Sequence, residues 1–140
     1  MTVPTHVMSR NITLALEDAG CDLGDLAFIC PHGSGSQKGD RSELNSIKNV
    51  WGPRNSEIPV CGMKAYTGHL GAASDLAEII FSIRSTGEHM APATLNFNES
   101  DSEFADLRIA GTPQRCDRKR FLSSSYGIGG QSSSVIVEVF

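Results

Sequence analysis

The chain has 140 residues, 39% of them hydrophobic and 20% charged, and a formal net charge of -4. This length suits one domain, and the balance supports a packed core rather than disorder. No basic stretch extends beyond residues 117–120 and their neighbours, which argues against nucleic acid, and no apolar run nears the roughly 20 residues needed to cross a bilayer.

The amino terminus, MTVPTHVMSR, lacks the apolar centre of a signal peptide, so a cytoplasmic protein is expected. Pro4 limits regular structure there. Met8, Ile12 and Leu16 then recur at helical spacing, with Ser9 as the expected N-cap and Gly20 as the stop. Residues 26–30, LAFIC, are continuously apolar and predict a short buried strand. It leads into PHGSGSQKG at 31–39, a glycine-rich corner carrying His32, Ser34 and Ser36. A helix follows: Asp40 and Glu43 have capping-box spacing, Leu44, Ile47 and Trp51 form an apolar face, and Gly52-Pro53 ends it.

Residues 58–61 predict a second strand, which opens into CGMKAYTGHLGAAS at 61–74. Such strand-to-helix corners are where α/β proteins usually place their chemistry. Lys64 and His69 sit there among Gly, Ala and Leu. The helix expected over about 71–87 is apolar nearly all round, which predicts burial. Glu78 lies inside it, and a buried carboxylate needs a partner; Lys64 is the counter-charge at hand. Beyond residue 88 come a looser stretch, an acidic loop at 98–106, a short strand at 107–109 and a polar connection at 111–119. A strand at 121–125, the glycine turn YGIGGQ at 126–131 and an alternating closing strand at 134–140 finish the chain. The order defines an α/β layered domain.

Three glycine-flanked corners thus carry His32, then Lys64 with His69, then a bare glycine loop. Histidines at strand ends can serve as acid–base groups or as donors to a developing oxyanion, and a glycine turn can aim an N–H at the same place. Each signal alone has an ordinary reading. His32 fits a loop partner, Lys64 a surface lysine, Ser34 and Ser36 turn formers, and Gly127, Gly129 and Gly130 a tight turn. GIGG precedes a strand, not a helix, so it is no dinucleotide fingerprint. Cysteines 21, 30, 61 and 116 form no CxxC pair, and with His32 and His69 they lack metal-ligand spacing; no metal site is expected.

Together, HGSGS followed by GD and E at 32–43, KAYTGHLGAA at 64–73 and SYGIGGQS at 125–132 resemble the C-terminal half of β-ketoacyl-ACP synthases, in order and in spacing. The resemblance runs from about Met8 to the end of the chain. It implies a thiolase-like fold, an α/β/α/β/α sandwich of two similar halves. Residues 1–140 would form the C-terminal domain, lacking the first strand of its half and so leaving a sheet edge open.

The implied reaction is a decarboxylative Claisen condensation in fatty acid or polyketide synthesis. It needs no cofactor beyond the phosphopantetheine of an acyl carrier protein. By resemblance, His32 and His69 are the two catalytic histidines, and Lys64 is the active-site lysine paired with Glu78. Ser34 and Ser36 stand where the family has threonines on the phosphopantetheine arm; they keep the hydroxyl and lose the methyl. Ile128, between Gly127 and Gly129, supplies the oxyanion-hole N–H and replaces the phenylalanine that often gates the acyl pocket.

The family's nucleophilic cysteine lies in the other half, and none of the four cysteines here takes its place. The resemblance therefore implies a hetero-oligomer in which a separate N-terminal half brings the cysteine and an acyl carrier protein brings substrate. The alternative is a non-catalytic module, truncated or like a chain-length factor, kept for assembly.

Overall fold

Strand β1 (Leu26–Cys30) is buried along its whole length, and the sheet is laid out from it. The computed structural model describes residues 4–52 and 57–140. β1 pairs in parallel with β4 (Arg120–Tyr126), which pairs antiparallel with β5 (Ser132–Glu138). On its other side Ile29 bridges Val60, and Val60 bridges Ile109, both in parallel. Ile29 N–H donates to Pro59 O and Cys61 N–H to Ile29 O, each at 2.8 Å. The strands expected at 58–61 and 107–109 are therefore single-bridge extended segments that widen the sheet. β1 and β4 pair directly, and among the described residues the edges of this sheet are β5 and the segment around Ile109. A second ladder joins β2 (Met90–Ala91) to β3 (Gln114–Arg115). It has no signature in the sequence, because two-residue strands carry no periodicity.

Helix α1 (Thr5–Ala19) starts four residues before the expected cap. Pro4, with φ -61° and ψ 136°, takes the N-cap position. Ser9 lies inside the helix, and its hydroxyl donates back to Thr5 O at 3.0 Å. Gly20 ends the helix in the left-handed region, as expected. Helix α2 (Gln37–Trp51) is capped by Ser36, whose Oγ accepts from Gly39 N–H at 3.3 Å. Asp40 instead sits in the first turn, where its charge suits the helix dipole. Gly52 closes α2; Pro53 lies outside the described residues.

α1 and α2 cover one face of the sheet, with Ile12, Leu16, Ile47 and Trp51 packed on Leu26, Ile29 and Leu122. Phe28 and Phe121 project to the other face and stack at 5.4 Å. A one-turn helix, α3 (Lys64–Thr67), and a 3-10 turn (Gly71–Ala73) lead into α4 (Ser74–Gly87) on that second face. Within this chain alone the helix is not buried all round. Its inner stripe is Ser74, Glu78, Ser82 and Thr86, while Leu76 is 64% and Ile80 56% exposed. Among the described residues no helix is long and apolar enough to cross a membrane.

Candidate active site

His32 follows β1 by one proline, and α2 reaches back to hold it. Glu43, buried in the second turn of α2, accepts His32 N–H on Oε1 at 2.7 Å and Gly33 N–H on Oε2 at 2.9 Å. Gly33 has φ 51°, a conformation that suits glycine and lets successive N–H groups converge on one carboxylate. Burial pushes Glu43 up to about 7, against the pull of those two N–H groups. The spacing from Asp40 suggests a capping box for Glu43; it is instead the clamp that shapes the His32 corner.

Lys64 ties three elements together. Its Nζ donates to Glu78 Oε1 at 2.8 Å and to His32 O at 2.5 Å. The two side chains are only 7% and 1% exposed, so the pairing expected from burial holds. Burial pushes the Glu78 carboxyl up, and the Lys64 ammonium opposes it. Cys30 Sγ lies 4.0 Å from the other Glu78 oxygen.

His69 sits in a corner stapled by its own backbone. Gly71 N–H donates to His69 Nδ1 at 3.0 Å, and Leu70 N–H donates to Ser74 Oγ at 2.8 Å. With Nδ1 accepting, the neutral ring carries its proton on Nε2. The His32 and His69 rings stand edge to face, with centroids 5.6 Å apart. The apolar neighbours in sequence suggest that His69 is hemmed in; in this chain His69 is exposed and His32 is partly covered. Burial first, then Lys64 and His69, push the His32 imidazole down, and Asp75 opposes them. A depressed imidazole is neutral near pH 7 and can offer an N–H.

Both rings line a cavity of about 510 Å³. Ser34 and Ser36 lie on its wall but are already engaged: Ser34 Oγ donates to Asp40 Oδ1 at 3.1 Å, and Ser36 caps α2. At the other wall β4 ends in the glycine turn. Gly127 N–H donates to Gln131 O at 2.9 Å, so Gly127 is turn-forming, while Gly129 and Gly130 take φ 99° and 86°. Ile128 also lines the cavity, its side chain fully exposed at 103%. Its N–H makes no hydrogen bond among the described residues.

Two further lining residues carry no signal in the sequence that marks them for the site. Tyr126 sets its ring edge-on to His32 at 5.7 Å, and burial pushes its phenol up. Asp75 accepts from Ser125 Oγ at 2.6 Å. A larger hollow of about 630 Å³, between Lys48 and Arg108, contains none of these groups. Burial raises the Cys30 thiol to about 12 and raises Cys61 too; a thiol held protonated is a poor nucleophile.

The cavity thus brings His32, His69 and the glycine turn onto one wall system, with the buried Lys64–Glu78 pair bonded to the His32 carbonyl behind it. A family profile described as "Beta-ketoacyl synthase, C-terminal domain" matches residues 2–98, more than half of the chain. The chain belongs to the beta-ketoacyl synthase family. It is 32% identical over 133 residues to the 3-oxoacyl-[acyl-carrier-protein] synthase 2 of Staphylococcus aureus (strain COL), covering 94% of this chain and 32% of that protein. A beta-ketoacyl synthase from Burkholderia phymatum STM815 superposes with a TM-score of 0.89 at 29% identity, over 99% of this chain and 33% of the other. The AntDE:AntF complex, a type II polyketide acyl-carrier protein with its ketosynthase bound to the hexaketide, gives a TM-score of 0.90 at 28% identity, over 100% of this chain and 35% of the other. The fold is accordingly thiolase-like, and the chain spans about a third of the length of the curated relatives it matches.

Proposed function

We propose that this chain is the C-terminal half of a β-ketoacyl-ACP synthase that decarboxylates a malonyl thioester and condenses the carbanion with an acyl-enzyme. The observation that carries the reading is the edge-to-face pair His32–His69 over the shared cavity, backed by the Lys64–Glu78 pair. The malonyl thioester carbonyl sits between the two imidazoles and accepts their N–H groups. The bond from the α-carbon to the carboxylate breaks, carbon dioxide leaves, and the electron pair becomes an enolate whose oxygen the two donors stabilise. The α-carbon then attacks the acyl thioester carbonyl. The resulting oxyanion is met by the Ile128 N–H, and the cysteine thiolate departs.

Lys64 holds the His32 carbonyl and Glu78 in place, so His32 stays oriented. Ser34 and Ser36 face the incoming phosphopantetheine arm of an acyl carrier protein. Burial keeps the Cys30 and Cys61 thiols protonated, and none of the four cysteines lines the cavity; in this reading the nucleophilic cysteine comes from a ketosynthase N-terminal half on a partner chain. The apolar outer side of α4 offers that half a surface to cover.

The test is decarboxylation of malonyl-ACP by this chain co-expressed with a ketosynthase N-terminal half. His69→Ala is expected to lower the rate roughly 10²–10³-fold, the cost of one oxyanion donor. Wild-type rates in that variant would remove His69 from the reaction. A complex that forms and never decarboxylates would favour the assembly module.

A further inference from the structure

Asp75 and Ser125 are 50 residues apart, and their side chains meet at 2.6 Å on the wall of the cavity that His32 and His69 share. The chemistry proposed above uses neither. Asp75 lies in the first turn of α4, where the helix dipole favours a carboxylate. Ser125 lies on β4, one residue before Tyr126 and two before the glycine turn.

This contact matters because of how α4 is held. The helix turns hydroxyls and a carboxylate toward the sheet and most of its large apolar residues away; Ile79, in its second turn, packs on the Phe28–Phe121 cluster, and no large apolar residue of the first turn is buried. Two polar ties take over: Lys64–Glu78 in the second turn and Ser125–Asp75 in the first. The His69 corner is built directly on that first turn, through Leu70 N–H to Ser74 Oγ and Gly71 N–H to His69 Nδ1. His32 stands on a different element, at the end of β1. The distance between the two rings therefore depends on what holds α4 to the sheet.

We propose that Asp75, gripped by Ser125, is a positioning residue that fixes the His69 corner against His32 and keeps a negative charge beside the His32 imidazole. Its role in the reaction rests on the function proposed above; its role in the geometry does not. The charged and titratable groups around His32 are Lys64 from α3, Glu43 from α2, Tyr126 from β4, His69 from the corner and Asp75 from α4. Lys64 and His69 disfavour the His32 imidazolium, and Asp75 favours it. Removing the Asp75 charge therefore moves the His32 titration to lower pH.

The experiment is histidine NMR on the full chain, labelled with carbon-13 and nitrogen-15, for wild type, Asp75→Asn, Asp75→Ala and Ser125→Ala. The expected results are a downward shift of the His32 titration in Asp75→Asn and a weakened His32–His69 ring NOE in Asp75→Ala and Ser125→Ala. Wild-type titration together with a wild-type NOE in all three variants overturns the proposal. Should Asp75→Ala fail to fold, Asp75→Asn and Ser125→Ala still decide it. In the complex with an N-terminal half, malonyl-ACP decarboxylation is expected to fall about tenfold to a hundredfold in Ser125→Ala, the scale of a displaced catalytic group. A wild-type complex without decarboxylation would defeat the proposed function, while the titration and the NOE would still decide the role of Asp75 in the geometry.

Discussion

On one face of the sheet, α1 and α2 turn Ile12, Leu16, Ile47 and Trp51 inward and leave their polar residues to solvent. On the other face, α4 does the reverse, with Ser74, Glu78, Ser82 and Thr86 inward and Leu76, Ile80, Phe81 and Ile83 outward. The first face is a core that closes on itself. The second trades apolar contact for a polar seam that holds a lysine and a carboxylate at depth. A helix that commits its inner side to polar groups has its apolar residues left for something else. The first face should thus lose stability when side chains are shortened, and the second when charge pairing is broken.

Breaking the pair is expected to cost most. Lys64→Met leaves the buried Glu78 carboxylate uncompensated and the His32 carbonyl without its donor. The expected loss is about 3–5 kcal/mol in urea denaturation of the full chain. The double variant Lys64→Met, Glu78→Leu should recover much of that loss, since apolar groups of similar size replace a buried pair at little cost. A double variant as unstable as the single one would mean that Lys64 acts mainly through the His32 carbonyl.

On the other face, Ile47→Ala removes side-chain volume from a fully packed site between α2 and the sheet. The expected cost is about 2–5 kcal/mol by the same measurement, depending on how far the cavity collapses. A loss under about 1 kcal/mol, no more than an average substitution costs, would erase the distinction between the two faces.

The first face is legible in the sequence and the second only in part. LAFIC reads as a buried strand because every residue is apolar, and the spacing of Met8, Ile12 and Leu16 is that of a helix side. The helix start is harder to place. Ser9 is a good cap, yet the helix starts behind Pro4, which has no capping side chain and whose carbonyl accepts from Val7 N–H at 3.0 Å. Ser36 and Asp40 both suit a cap four residues apart, and only the hydrogen bond from Gly39 N–H decides between them. Glu43 near a helix start reads as a capping group, and nothing local shows that its carboxylate turns back to His32 and Gly33.

For α4, hydropathy counts apolar residues without knowing what lies outside the chain. The stripe 74, 78, 82, 86 is as regular as any apolar one, but Ser, Glu, Ser and Thr do not register as an inner face. Lys64–Glu78 can be inferred because burial demands a counter-charge, whereas Asp75–Ser125 joins exposed-looking polar residues 50 positions apart.

The smallest expected effect is the most discriminating. Phe81 is about half exposed on the outer side of α4, so Phe81→Ser removes little that the isolated chain buries. Its unfolding free energy should stay within about 0.5 kcal/mol of wild type. The same substitution in a complex with an N-terminal half should weaken association, because large aromatic residues at the centre of an apolar patch carry much of an interface's energy. Urea midpoints and the affinity of the two halves by calorimetry separate the two quantities. A stability loss matching that of Ile47→Ala in the chain alone would mean that the outer side of α4 is already covered, by a second copy of the chain. An unchanged affinity would place the partner on another surface, and the inverted helix would then need a different explanation.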